Sequence, residues 1–467
     1  MFQFNKGFGI NMYNKIKMVV CVFTVVLFAL AATAKPKYIF LFIGDGMGPG
    51  QRQLGEAFAG KKLNMNDMPV NGMTTTHSLS SKITDSAAAG TALACGLKTN
   101  NGWIGMIPVK KTVKDEKTGK EVETVSTKKI DSIVPDLKKQ GYKVGIISSV
   151  PLNHATPAAF YGHVKSRNMY DELALQMADS DVDFFGGDQL ALKKMKPKDI
   201  LMKFQEKNLE VYNEPDNLDN IKPGKRVYVC RKFDFVVDRG DKKPFTLADT
   251  VSLAVRLLDN PGGFFIMCEG GRIDWGCHKN DAGAAASETV AFDDAVKVAR
   301  DFYHKHPEDT LIIVTADHET GGLSFTGGSM DGLRNQKNSY YDLTFKLRDM
   351  YKKQLPFKDV LKLVSDGYGL KNLSTEEIAD FHRAWELGWI PAKLRTAEEQ
   401  RRFGSCNPML IVAQDKLARQ AGVKYISYSH TGQSVQTSAE GVDSDKFAGP
   451  TDNTDIPRII RTLISDK

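Results

Sequence analysis

Tyr38-Ile39-Phe40-Leu41-Phe42-Ile43 runs directly into Gly44-Asp45-Gly46-Met47-Gly48. An unbroken apolar run of this length suits a strand buried on both faces, as in a parallel sheet. An aspartate sits where that strand ends. The pattern recurs. Val144–Ile147 leads to Asn153-His154-Ala155-Thr156-Pro157, Phe264–Met267 to Glu269 and Asp274, Leu311–Thr315 to Asp317-His318-Glu319, and Lys424–Ser427 to His430. Helical segments lie between the runs, for example Ser132–Lys139 and Ala284–His304. This alternation predicts an α/β architecture.

In open α/β sheets, ligands bind beyond the carboxyl ends of the strands. Five strands ending in Asp, Glu or His would gather those side chains along one edge. A single aspartate after a strand is an ordinary turn residue; five such endings are not explained by turns.

Thr84-Asp85-Ser86-Ala87-Ala88-Ala89-Gly90 adds a serine to that edge. The Ala-rich segment Ala87–Ala94 reads as a helix. Asp85 or Ser86 then stands at its start, where free N–H groups and the dipole favour an anion. A serine there can carry a phosphoryl or acyl group, yet Thr, Asp and Ser are also common caps. Asp274 and His278 are spaced to share a helix face, either as an ion pair or as zinc ligands. Asp317-His318 and His430 offer further ligands, and Glu269 a hard oxygen suited to Mg2+. The set suffices for two zinc sites and a harder third. Paired metals clamp the attacking and leaving oxygens in phosphoryl transfer and lower the pKa of a bound hydroxyl. Arg167 can grip phosphate oxygens in bidentate fashion; without a partner it is a surface arginine after Lys165.

The chain has 467 residues, of which 42% are hydrophobic and 25% charged, which excludes a disordered or fibrous class. The net charge of +7 is not arranged as a basic stripe with aromatics, so nucleic acid is not an expected partner. Lys15 and Lys17 precede the apolar run Met18–Ala32, and Ala32-Thr33-Ala34 offers small residues before Lys35. Residues 1–34 therefore read as a signal peptide. The run is shorter than the roughly 20 residues of a membrane span. The expectation is an exported chain, periplasmic or extracellular, with no stable span after cleavage. Five cysteines would remain: Cys95, Cys230, Cys268, Cys277 and Cys406. An odd number leaves at least one thiol free or intermolecular. Val109–Lys129 reads as a charged hairpin or loop. Tyr340–Trp389 reads as helical, within an insertion of approximately 326–410 over the rim of the site.

Together these motifs make the chain resemble the bacterial alkaline phosphatases. The resemblance rests on Ile43–Gly48, Thr84–Ala88, Ala155–Ala159 with His163–Arg167, Glu269–His278, Thr315–Glu319, His430–Gly432 and Gly449–Ile456, in the family's order. It implies a three-layer α/β/α sandwich around a large, mostly parallel sheet, with residues 35–467 as one catalytic domain. It implies hydrolysis of phosphate monoesters through a phosphoserine at Ser86, and is compatible with a homodimer. By the same resemblance, Asp45, Asp317 and His318 hold the zinc that activates Ser86. Asp274, His278 and His430 hold the zinc that stabilises the leaving oxygen. Asp45, Thr156 and Glu269 hold a third metal, usually Mg2+. Arg167 clamps phosphate and Asp85 orients Arg167.

Two positions depart from the best-known enterobacterial pattern. His154 stands in place of Asp, and Trp275 in place of Lys. Nitrogen donors favour Zn2+ or Co2+ over Mg2+, which leaves the third metal open. Trp275 removes a cation from the neighbourhood of the phosphate. The alternatives are a related phosphodiesterase or a secreted zinc-binding scaffold without catalysis. A sulfatase is disfavoured because Ser86 is followed by Ala-Ala-Ala.

Overall fold

The computed structural model describes residues 35–114, 121–214, 217–242 and 244–465. The expected signal peptide, 1–34, lies outside the described residues. The strands in chain order are β1 Tyr38–Gly44, β2 Val70–Thr75, β3 Met106–Lys114, β4 Glu121–Lys129, β5 Lys143–Pro151, β6 Phe184–Asp188, β7 Leu209–Asn213 and β8 Arg226–Cys230. They continue as β9 Phe264–Glu269, β10 Thr310–Ala316, β11 Glu319–Thr320, β12 Ser324–Phe325, β13 Val423–Lys424, β14 His430–Thr431, β15 Val435–Gly441 and β16 Gly449–Asp452. Ten of them form one sheet, in the order β16-β2-β15-β10-β1-β9-β5-β6-β8-β7. Its neighbours run parallel except around β15, which is antiparallel to both β10 and β2. The sheet is thus mixed and mostly parallel, as expected.

Residues of β1 alternate between two cores. Ile39, Leu41 and Ile43 pack with the helices Ser86–Cys95, Tyr170–Asp179 and Asp455–Ile464. Tyr38, Phe40 and Phe42 pack on the other face with Leu247–Leu258 and Ala282–Tyr303. Every β1 residue is buried, so its apolar run has no polar face to show.

Register sets the level of the site. Ile43 lies beside both Thr315 of β10 and Glu269 of β9, and Ser148 of β5 lies on the far side of Glu269. Asp45, Glu269 and Asp317 therefore leave the sheet at one edge and one height. Lys424–Ser427, expected as a fifth buried strand, is not one. Lys424 and Ile426 are exposed, and β13 makes only a two-residue ladder with β12. His430 reaches the site by β14, which pairs antiparallel with β11 directly after His318.

The helices Tyr340–Lys352, Phe357–Gly367, Thr375–Leu387, Ala397–Phe403 and Pro408–Ala421 share a third core with Leu323 and Val423. The expected boundary near 410 falls inside the last of them. Of Val109–Lys129, residues 109–114 and 121–129 lie in β3 and β4, which pair antiparallel; 115–120 lie outside the described residues. The five cysteines at 95, 230, 268, 277 and 406 are buried and form no disulfide. No described helix is long and apolar enough to cross a membrane.

Candidate active site

Ser86 is the first residue of its helix, and Asp85 is the cap. One Asp85 oxygen accepts from Ala88 N at 3.0 Å and from Gly102 N at 3.0 Å. Ser86 is therefore free of the capping role. It is 1% exposed, and its Oγ lies 3.1 Å from His318 Nε2. The helix is held close to the Ala155–Ala158 turn, because a Cβ on Gly90 would meet Thr156 Cα at 3.0 Å. Gly46, at φ +70°, lets the β1 turn pass under Asp274, and its N–H donates to Asp317 Oδ1 at 3.1 Å.

Three imidazoles point one way. His278 Nδ1 meets the Tyr428 carbonyl at 2.7 Å, and His430 Nδ1 meets the Thr84 carbonyl at 2.9 Å. A carbonyl only accepts, so each Nδ1 carries the proton and each Nε2 presents a lone pair. Those two Nε2 atoms face each other at 3.1 Å, and Asp274 Oδ2 is 3.3 Å from that of His278. His318 follows suit. Thr320 Oγ1 donates to Asp274 Oδ1 at 2.6 Å and so can accept from His318 Nδ1, 3.2 Å away. His318 Nε2 then faces Asp317 Oδ2 at 3.2 Å and Asp45 Oδ1 at 3.5 Å. Facing lone pairs repel unless a cation lies between them.

The carboxylates make the same point. Asp45, Glu269 and Asp317 are fully buried. Both oxygens of Asp45, Oε1 of Glu269, Oδ2 of Asp317, Oγ1 of Thr156 and Nδ1 of His154 are buried without a hydrogen-bond partner. Burial pushes Asp317 up to about 8 and Glu269 up to about 7, and neighbouring carboxylates add to it. Asp45 is raised for the same reasons. Burial acts on Asp274 too, but His278, His318 and His430 outweigh it and hold that carboxyl well below the usual range. Orphaned buried oxygens grouped with inward lone pairs fit divalent cations. Three groups have ligand atoms within 4.8 Å of one another: Asp274–His278–His430, Asp45–Asp274–His318 and Asp45–His154–Glu269. Asp274 thus reaches toward two of them.

Arg167 stands at the mouth. Its Nη1 is 3.2 Å from Asp85 Oδ2 and its Nη2 3.3 Å from His154 Nε2. Burial, with the adjacent guanidinium, pushes His154 down to about 3, which keeps the ring neutral. Ser86, Arg167, His154, Asp274, His278 and His430 open into one cleft of about 540 Å³, whose outer wall includes Trp275, Tyr341 and Tyr428.

The family model for alkaline phosphatase matches residues 36–226 and 228–465. The chain belongs to the alkaline phosphatase family. It is 30% identical to alkaline phosphatase 4 of Bacillus subtilis (strain 168), with 92% of this chain and 89% of that protein covered. It is 28% identical to the human tissue-nonspecific isozyme, with 73% of each chain covered. The crystal structure of a cold-active alkaline phosphatase from a psychrophilic Shewanella superposes with a TM-score of 0.73 at 26% identity, covering 92% of this chain and 100% of that one. A structure of a TAB5 alkaline phosphatase variant, described with Mg bound, matches with a TM-score of 0.64 at 25% identity, covering 92% and 98%. The chain is a phosphatase with candidate metal-holding groups.

Several residues support this phosphatase site, of which Ser148, Thr320 and Gln51 were not anticipated from the sequence and Glu319 was noted there without a role. Ser148 donates to Glu269 Oε2. Thr320 ties Asp274 to His318. Glu319 accepts from Gln51 Nε2 at 2.9 Å and from the N–H groups of Gly322 and Leu323, fixing the turn after His318. Thr320 and Glu319 adjoin the Asp317-His318 pair in sequence, which was the available signal; Ser148 and Gln51 had none.

Proposed function

We propose that the chain is an exported alkaline phosphatase in activity as well as in family, passing the phosphoryl group of a monoester first to Ser86 and then to water. One observation carries this reading: Ser86 Oγ opens into the cleft beside His318 while a different residue caps its helix. In the first step Ser86 Oγ loses its proton and bonds to phosphorus. The bond from phosphorus to the ester oxygen breaks, and that oxygen departs as the alcohol after taking a proton. In the second step a water oxygen bonds to phosphorus and gives up a proton, the Ser86 Oγ–P bond breaks, Ser86 Oγ takes a proton back, and inorganic phosphate leaves.

Free N–H groups at the helix start favour the phosphoryl oxygens throughout. Arg167, braced by Asp85 and His154, turns its planar fork toward those oxygens. Asp45, Asp317 and His318 would hold one zinc ion, and Asp274, His278 and His430 a second. Asp45, Thr156 and Glu269 would hold Mg2+ or, with His154 adjacent, Zn2+ or Co2+. When bound, such cations supply positive charge against the oxygens that gain negative charge and lower the pKa of the serine hydroxyl. Export rests on the basic-then-apolar order of Lys15–Ala32 and the small residues before Lys35.

Acid quenching during turnover of a labelled monoester should leave phosphate on the peptide that contains Ser86. Ser86→Ala should carry none and lose turnover by on the order of 10³-fold or more. Wild-type turnover in Ser86→Ala would rule out the covalent route.

A further inference from the structure

We propose that the outer half of the cleft is a leaving-group subsite for a flat aromatic ring. The preferred substrates would then be phosphomonoesters whose alcohol carries such a ring, as a benzylic alcohol or a nucleoside does. This rests on the phosphomonoesterase reading above. At about 540 Å³ the cleft is in the range of pockets that enclose whole small molecules, well beyond what a phosphoryl group fills. The reacting groups occupy its floor. The rest of the lining carries three aromatic rings, Trp275 and Tyr341, with ring centroids 6.1 Å apart and planes tilted by 44°, and Tyr428, together with Lys279 and the small residues Gly404, Ser405, Cys406 and Ser429. Proton transfer and charge stabilisation at the floor require none of the three.

Each ring is held from behind. The Arg272 guanidinium lies 5.2 Å from the Trp275 ring centre and is itself fixed by Asp188 Oδ2 at 2.8 Å and Ser149 O at 3.0 Å. Phe235 stacks on Tyr341 at 5.5 Å and 15°. Tyr341 is in the first turn of the Tyr340–Lys352 helix, which two carboxylates anchor. Asp238 accepts from Ser339 N at 2.6 Å and Ser339 Oγ at 2.7 Å, and Asp281 accepts from Tyr340 N at 2.8 Å. The Tyr428 hydroxyl donates to Arg402 O at 2.6 Å. Partly exposed rings fixed before binding offer a flat ligand contact area at little ordering cost. Two of them adjoin the Asp274–His278–His430 group. Trp275 follows Asp274, and the Tyr428 carbonyl accepts a hydrogen bond from His278 Nδ1.

The test compares benzyl phosphate with cyclohexylmethyl phosphate, which are similar in bulk but differ in planarity. The small difference in leaving-group basicity is common to wild type and variants, so the change of the ratio in the variants reads the subsite. Adenosine 5′-monophosphate is compared likewise with ribose 5-phosphate. The flat member should be preferred in kcat/KM by roughly three- to tenfold, the scale of one or two aromatic pairings, chiefly through KM. Trp275→Leu and Tyr341→Leu should draw the ratios toward one, and Tyr341→Phe should keep them. Ratios within one preparation do not depend on the fraction folded. A larger ratio for the nucleotide pair supports a nucleoside as the natural leaving group; a larger ratio for the benzyl pair supports a simpler aryl alcohol. Equal hydrolysis within both pairs overturns the subsite and leaves the phosphomonoesterase reading standing. No hydrolysis of any of the four overturns both.

Discussion

At the floor of the cleft, Asp45, Thr156, Glu269 and Asp317 are buried and keep oxygen atoms that no hydrogen bond satisfies. At the rim, the Tyr428 hydroxyl, the Arg272 guanidinium behind Trp275 and the backbone leading into Tyr341 all have partners. The floor comes from strand ends fixed by sheet register; the rim comes from the helical segment and the turns around it. A polar group left orphaned in a protein interior costs stability unless something else fills its place. The contrast therefore says where the missing partner belongs. The floor's donor set suits divalent cations. Those rim groups are held by the chain itself.

Stripping the metals should break the floor and spare the rim, and this is the largest effect expected. Chelation should abolish turnover and lower the thermal midpoint, and added Zn2+ should restore both. An ion present at 1,000 times its Kd contributes roughly 4 kcal/mol to the folded state. That is a large share of the ~5–15 kcal/mol net stability of a typical domain. Calorimetry before and after chelation, paired with metal analysis, measures it. An unchanged melting transition and full activity in protein shown to be metal-free would sink the cation reading of the floor.

The same division separates what the sequence could tell from what it could not. The floor was legible because β1, β9, β10 and β5 are buried on both faces and so read as apolar runs, each followed by an acid or histidine. β15 was invisible. Val435–Gly441 is polar in composition yet mostly buried, since Arg52 and the hydroxyls of Thr74 and Thr315 satisfy Ser438 and Thr437. Lys424–Ser427 misled in the opposite direction, being apolar enough to suggest a strand while lying on the surface. Tyr341 carried no signal at all. It meets Trp275 only because a capped helix, 66 positions further along the chain, folds back over the sheet edge. Local pattern reveals what a strand buries; it does not reveal what a distant helix brings alongside.

Arg167 sits on the boundary between the two regions, and its variants sharpen where that boundary runs. Arg167→Ala removes the planar fork and should lower kcat/KM by roughly 10²-fold, the scale of losing one preorganised donor to a reacting oxyanion. Asp85→Asn should act more weakly. An amide oxygen can still accept from Ala88 N and Gly102 N and keep the helix cap, while the charge facing Arg167 is lost. Both partners are about a fifth exposed, at 22% and 20%, so solvent screens the pair. A loss of roughly fivefold follows from a partly screened pair of this kind. Steady-state kinetics on one monoester separates the cases. Equal losses in the two variants would mean that Asp85 does more than aim the arginine.

Trp275→Lys carries an effect as small as that of Asp85→Asn and tests the rim on its own ground. The indole lies edge-on to His154 at 6.0 Å, and Arg167 reaches the same histidine at 3.3 Å. An ammonium at position 275 would therefore stand near the phosphate that Arg167 grips, in a cleft open to water. A screened charge interaction of about 1 kcal/mol tightens binding roughly fivefold. The inhibition constant for inorganic phosphate should fall by that factor, and kcat should fall if product release limits turnover. The native tryptophan then trades phosphate affinity for a ring that can meet the leaving group. The two consequences can be separated, because phosphate inhibition involves no leaving group and the benzyl-to-cyclohexylmethyl ratio involves no free phosphate. An unchanged inhibition constant in Trp275→Lys would show that the rim is electrostatically isolated from the floor.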